Sequence, residues 1–183
     1  MGIFDLFRAL FRSEPDELPE LHGLTEPERR SKDRVEAREG TRVLIIDDSK
    51  TVVTAIKKLL RSVGYETLEA FDAETGLGMI HEHSPELIFL DIMLPGMNGF
   101  AALRMIRRDP LTRDIPVIMM SGNEQAMEQF YGSRIAADDF MKKPFSRDEL
   151  FFRIEGLLDK NGVPRRAKVT PNTVQEHSTA SFA

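Results

Sequence analysis

Carboxylate, hydroxyl and ammonium side chains stand directly after four short apolar runs of the chain. Asp47 and Asp48 follow the run RVLII, Asp91 follows LIFL, Ser121 follows VIMM, and Lys143 follows the shorter run DFM by one residue. If these runs are neighbouring strands, three carboxylates share one site and repel one another. A divalent cation relieves that repulsion, and ligation by oxygen alone suits Mg²⁺ better than a soft metal.

This set of side chains favours phosphoryl transfer onto a carboxylate. Such a transfer depends mainly on positioning and electrostatic stabilisation. A carboxylate nucleophile would form an aspartyl phosphate. Lys143 would place its positive charge beside a phosphoryl oxygen. The Ser121 hydroxyl would donate a hydrogen bond to the same phosphoryl group.

The elements that must position these residues alternate between apolar runs and amphipathic segments. Three runs (42–46, 87–90 and 117–120) are almost continuously apolar, as in parallel strands covered on both faces. Shorter strands are predicted at 65–69 and 139–141. The alternation predicts a parallel α/β sandwich with right-handed crossovers. Ligands of such sheets bind outside the carboxyl ends of the strands, where the polar residues stand.

Two of the intervening segments carry strong helix signals. Apolar residues recur at helical spacing over 51–63, and Gly64 follows as a helix stop. A second helix is predicted over 145–158, with Ser146 as its N-cap and Glu149 three residues later.

Composition excludes several classes of site. The 183-residue chain is 41% hydrophobic, which is enough for a normal core, and its formal net charge is -5. A general nucleic-acid binder would be basic. The chain has no cysteine, so it has no disulfide, thiolate zinc site or cysteine nucleophile.

No segment reads as a membrane span or a secretory signal, which predicts a cytoplasmic protein.

Four regions are predicted along the chain. Residues 1–12 are an amphipathic segment, and residues 13–40 are a charged linker that cannot bury enough apolar surface to order itself. Residues 41–160 form the α/β domain. Residues 161–183 are predicted to be a polar, flexible tail. No output domain is recognised after the α/β domain.

The first twelve residues carry an apolar stripe with Arg8 and Arg12 beside it. The stripe consists of Ile3, Phe4, Leu6, Phe7, Leu10 and Phe11. An isolated helix this short is marginal in water. Three hypotheses therefore stay open: docking into a groove of another protein, recruitment to a membrane surface, or packing within the chain.

The motifs VLIIDDSK, LIFLDIMLPGMNGF, PVIMMSG and ADDFMKKPFSRDEL occur in this order. With them, residues 41–159 resemble the receiver domains of response regulators in two-component signalling. The resemblance implies a flavodoxin-like, doubly wound sheet of five parallel strands in the order 2-1-3-4-5. Within the family, the chain is similar to stand-alone receivers of chemotaxis and of twitching motility.

The resemblance also implies a ligand set for Mg²⁺. Asp48 and Asp91 would hold the ion through their side chains, and Met93 through its backbone carbonyl. Asp47 would contribute through a water molecule.

In the same family, the phosphoacceptor would be Asp91 and the donor a histidine kinase. Ser121 and Lys143 would bind the phosphoryl oxygens, with a cis bond between Lys143 and Pro144. Ser121 and Phe140 would form the switch, in which Phe140 turns inward as Ser121 moves. The implied output is contact with a downstream effector protein rather than binding to nucleic acid, and the chain would be a signalling receiver rather than an enzyme.

Three other classes of function are weighed against this one. A haloacid-dehalogenase-type phosphatase needs a second aspartate two residues after the nucleophile, where this chain has Met93. A nucleotide-binding module needs a glycine-rich loop after a strand, but DDSK contains no glycine. A receiver-like scaffold that is never phosphorylated stays open on sequence alone.

Overall fold

The computed structural model describes residues 37–132 and 137–166, without the side chains of residues 127, 129 and 131. The predicted amphipathic segment 1–12, residues 13–36 of the predicted linker and residues 167–183 of the predicted tail lie outside this part of the chain. Within the described residues, no helix is long and apolar enough to cross a membrane.

Five strands form one parallel sheet in the order β2-β1-β3-β4-β5. Their bounds are β1 Arg42–Ile46, β2 Glu66–Ala70, β3 Leu87–Asp91, β4 Val117–Ser121 and β5 Asp139–Lys142. The predicted fold class and strand order are confirmed. The order reverses between β1 and β3, which is where such sheets bind ligands.

The central strands are buried along their length because both faces of the sheet are covered. Every residue of β3 and β4 is buried. In β1, Leu44 and Ile46 belong to the core on one face, and Val43 and Ile45 to the core on the other. The alternation follows from side chains pointing to opposite faces along a strand, and it explains the continuous apolar runs.

In the part of the chain that the structure describes, five helices connect and flank the strands. Their bounds are α1 Lys50–Arg61, α2 Ala73–His83, α3 Gly99–Arg108, α4 Glu124–Gly132 and α5 Arg147–Glu155. Four of them begin after a polar N-cap whose side chain accepts a hydrogen bond from a backbone N–H in the first turn; these N-caps are Ser49, Asp72, Asn98 and Ser146. The predicted Ser146 cap is thus observed. Such caps satisfy donors that the helix leaves free.

The folded part of the chain extends beyond both predicted boundaries of the α/β domain. The backbone N–H of Arg38, inside the predicted linker, donates to the Gly162 carbonyl, inside the predicted tail, at 3.0 Å. Arg166 forms an ion pair with Asp138 at 3.1 Å. Residues 37–40 and 161–166 therefore differ from the prediction. Their composition is polar, but their contacts are made with residues far away in sequence.

Candidate functional site

All four predicted groups of polar residues lie at the carboxyl edge of the sheet. Asp47 follows β1, Asp91 ends β3 and Ser121 ends β4. The backbone N–H of Lys143, just after β5, donates to the Ser121 carbonyl at 2.9 Å. The parallel register of the strands thus brings together side chains that are up to 96 positions apart, from Asp47 to Lys143.

A cluster of three carboxylates forms the centre of this edge. One oxygen each of Asp47, Asp48 and Asp91 lies within 4.8 Å of the others. Asp47 and Asp91 are buried, whereas Asp48 is exposed. The backbone N–H of Ser49 donates to Asp47 Oδ1 at 3.0 Å, which fixes the orientation of that carboxylate.

Lys143 joins the two buried carboxylates. Its Nζ lies 2.5 Å from Asp47 Oδ2 and 3.1 Å from Asp91 Oδ2. The bond between Lys143 and Pro144 is cis, in agreement with the prediction from the family resemblance. One ammonium group therefore stands between two carboxylates, and it offsets part of their mutual repulsion.

Burial is the largest influence on the pKa of Asp47. Burial raises the pKa of Asp47, and the nearby Asp91 carboxylate raises it further. The contact with Lys143 and the Ser49 N–H lower the pKa of Asp47, without cancelling the effect of burial. A buried anion that is only partly compensated is suited to receiving more positive charge.

The donor set fits a hard divalent cation. The three carboxylates supply oxygen ligands alone, and the exposure of Asp48 leaves a path from solvent. Mg²⁺ prefers oxygen ligands and retains several of its water molecules. Asp48, Asp91 and the Met93 carbonyl are the ligands implied by the family, and Met93 lies on the exposed loop after β3.

Ser121 is buried at the end of β4 with its hydroxyl in a defined contact. The backbone N–H of Asn123 donates to Ser121 Oγ at 3.1 Å. This bond uses the hydroxyl as an acceptor, so its hydrogen is available for donation to an anionic group.

Phe140, the predicted switch residue, is buried on β5. Its ring centroid lies 5.1 Å from that of Phe130 on α4, with the planes tilted by 35°. Phe140 is thus packed against the helix that follows Ser121. An aromatic contact of this kind joins β5 to α4 without a hydrogen bond.

Gly99 is a site residue that the sequence analysis missed. It begins α3 and packs against the backbone of Asp91 and Ile92 so closely that a Cβ would overlap the Asp91 carbonyl oxygen. Its backbone N–H donates to the Ile92 carbonyl at 3.0 Å. The available signal was the Asn98-Gly99 pair, which fits an ordinary turn equally well.

Comparison with known proteins identifies the same region of the chain. The family model described as the response regulator receiver domain matches residues 43–155. A chain of known structure, a putative response regulator from Chloroflexus aurantiacus, is 30% identical with a TM-score of 0.60, over 64% of this chain and 97% of that one.

Two relatives from Pseudomonas aeruginosa differ in how much of them is matched. The phosphate regulon transcriptional regulatory protein PhoB is 38% identical over 123 residues, which are 67% of this chain and 54% of PhoB. The protein PilH is 32% identical over 117 residues, which are 64% of this chain and 97% of PilH. The chain therefore spans about half the length of PhoB and almost all of PilH.

Proposed function

Because the chain belongs to the family of response regulator receiver domains of two-component signalling, we propose that Asp91 accepts a phosphoryl group from a histidine kinase. An Asp91 carboxylate oxygen forms a bond to phosphorus as the bond from phosphorus to the donor's imidazole nitrogen breaks. The imidazole leaves with the electron pair of that bond. The product is an aspartyl phosphate.

The contact of Lys143 with both buried carboxylates is the observation that carries this proposal. Its Nζ is 3.1 Å from Asp91 Oδ2, so a positive charge already stands beside the oxygen atoms that would receive the phosphoryl group. Positioned charge of this kind is the main source of catalysis in phosphoryl transfer. Ser121 and Lys143 would bind the phosphoryl oxygens.

Mg²⁺ is the metal that the carboxylates fit, and it would neutralise charge on the phosphoryl oxygens. Asp48 and Asp91 would hold it through side-chain oxygens and Met93 through its carbonyl, while Asp47 would act through water. The proximity of the three carboxylates supports this assignment.

The output would be a change in a protein-binding surface around β5. Ser121 would move toward the phosphoryl group, and Phe140 would follow into the vacated space. A ligand shifts such an equilibrium by its different affinity for the two states. Because Phe140 has no hydroxyl, its contribution would be packing alone.

The proposed partner of that surface is an effector protein rather than nucleic acid. The net charge of -5 supports this, as does the match to nearly the whole length of PilH. The match to PhoB, a transcriptional regulator by name, covers only 54% of it. Salt-dependent binding of the purified chain to random duplex DNA would contradict this part of the proposal.

Incubation with Mg²⁺ and acetyl phosphate, followed by measurement of intact mass, tests the acceptance step. Acetate is the leaving group, so a single phosphoryl addition is expected in the wild type and none in Asp91→Asn. EDTA should abolish the addition. Lys143→Gln should slow it about 100-fold, because a preorganised charge is lost.

Lys142→Gln is the matched control, since Lys142 is the preceding lysine and pairs with the exposed Glu124. Its phosphorylation rate should equal that of the wild type. Addition to Asp91→Asn at the wild-type rate would show that another residue is the acceptor. No addition to the wild type, together with no binding of beryllofluoride, would leave the scaffold hypothesis.

A further inference from the structure

The chain turns back on itself after α5 and forms a small hydrogen-bonded loop. The Asp159 N–H donates to the Val163 carbonyl at 3.0 Å, and the Arg165 N–H donates to the Leu157 carbonyl at 2.7 Å. Leu158 and Pro164 form an antiparallel bridge. We call residues 157–166 the C-terminal latch. It lies outside residues 43–155, so the match to the family model does not account for it.

The last residue of the latch, Arg166, contacts a buried carboxylate just before β5. Asp138, whose side chain is only 1% exposed, receives Arg166 Nε on Oδ1 at 3.1 Å. Its Oδ2 accepts from Arg107 Nη2 at 2.7 Å and from the backbone N–H of Val117 at 2.8 Å. A buried carboxylate requires such partners, because an uncompensated charge in the interior is costly. The arginine at the end of the latch is therefore part of what holds Asp138 in place.

Asp138 is two residues before Phe140 and five before Lys143. β5 pairs only with β4 in the described sheet, because it lies at the edge. An edge strand held by one row of hydrogen bonds moves more readily than a central one. Its position consequently depends on side-chain contacts, among them Arg153 with Asp139 at 3.0 Å and the contacts of Asp138.

We propose that the C-terminal latch restrains β5 through the contact between Arg166 and Asp138, and that phosphorylation of Asp91 releases the latch. This inference rests on the proposed phosphoacceptor function. Movement of Phe140 requires β5 to adjust, and the latch holds that strand at Asp138, two residues before Phe140. Coupling between two sites is reciprocal. If a bound phosphoryl group weakens the latch, loss of the latch contact strengthens binding of the phosphoryl group by the same factor.

Titration of the full chain with beryllofluoride in the presence of Mg²⁺ tests this reciprocity. Arg166→Gln should bind beryllofluoride about fivefold more tightly than the wild type, within the usual range of such couplings. Arg165→Gln is the matched control, because Arg165 pairs with Asp159 inside the latch and not with β5. Its affinity should equal that of the wild type.

Hydrogen exchange in the wild type supplies a second measurement that needs no variant. The Arg165 amide, which donates to Leu157, should exchange about fivefold faster when beryllofluoride is bound. The latch proposal would be contradicted if the wild type and Arg166→Gln bound beryllofluoride with equal affinity. It would also be contradicted if hydrogen exchange at the Arg165 amide did not change on binding. A wild type that does not bind beryllofluoride would instead overturn the phosphoacceptor proposal on which the latch rests.

Discussion

At the scale of the residue, Gly99 lies too close to the backbone of the proposed phosphoacceptor to carry a Cβ atom. A Cβ at position 99 would overlap the Asp91 carbonyl oxygen and lie 2.9 Å from Ile92 Cα. Both obstacles are backbone atoms, so no side-chain rotation relieves them. The substitution would have to displace the start of α3 or the end of β3.

We therefore expect Gly99→Ala to lower the free energy of unfolding by about 2 kcal/mol, as overpacking in a tight site does. It should also slow phosphorylation by acetyl phosphate under conditions in which the variant is folded, because the Asp91 carboxylate moves with its backbone. Denaturant titration and intact mass measure the two effects.

Gly78→Ala provides the control for this prediction. Gly78 lies within α2, and a Cβ there would meet nothing within 4 Å. Alanine is favoured over glycine in a helix, so this variant should be more stable by about 0.5–1 kcal/mol, with its phosphorylation rate unchanged. Wild-type stability in Gly99→Ala would show that the backbone accommodates the added methyl group.

At the scale of the element, Asp72 determines where α2 begins. The Thr75 N–H donates to Asp72 Oδ1 at 2.7 Å, and the Thr75 hydroxyl donates to Oδ2 at 2.9 Å. These bonds lower the pKa of Asp72 below its ordinary value of 3.8. A lowered pKa in the folded state stabilises the fold above pH 3.8, and this contribution is lost as the pH falls through the folded-state pKa.

We expect the stability advantage of the wild type over Asp72→Asn to be greatest near pH 7 and to shrink in acid below pH 3.8. Asparagine still caps the helix but does not titrate, so the difference isolates the charge. Urea titrations of both proteins from pH 7 to pH 2.5 measure it. A difference that stays constant over this range would contradict the assignment.

Two predicted helices are longer than those observed. The segment 51–63 forms a helix over Lys50–Arg61, and the segment 145–158 forms one over Arg147–Glu155. The buried Leu157 continues the apolar pattern beyond the last helical turn, since the chain turns into the latch there. Apolar spacing reports which residues face the core, whereas hydrogen bonds define the end of a helix.

At the scale of the whole molecule, the carboxylate cluster should couple metal binding to stability. Binding to the folded state alone stabilises it by about 2.7 kcal/mol at a concentration of one hundred times Kd. The thermal midpoint should then rise by about 10 °C with MgCl2 relative to KCl of equal ionic strength. Differential scanning calorimetry measures this shift.

Asp48→Asn should reduce that shift, because it removes one of the proposed ligands. Asp114→Asn should leave the shift unchanged. Asp114 is an exposed carboxylate that pairs with Arg113. It lies three residues before β4 begins, and thus at the other end of the sheet. Equal shifts in the two variants would show that Mg²⁺ acts through general screening and not through the cluster.

The amino-acid sequence determined the fold class and the edge at which the proposed site lies. Apolar runs, polar caps and the residues that follow each strand are local features. Each can be recognised within a stretch of about ten residues. Asp47, Asp91, Ser121 and Lys143 stand beside their own strands, so parallel pairing was sufficient to bring them together.

Only the tertiary structure decided the contacts between distant positions. Asp138 bonds to Arg107 and Arg166, which are 31 and 28 positions away, and these contacts place residues 161–166 in the domain rather than in a tail. The approach of Gly99 to the Asp91 carbonyl likewise depends on how α3 packs. A polar segment orders only when its partners are in reach, and that is a property of the folded chain rather than of the segment's composition.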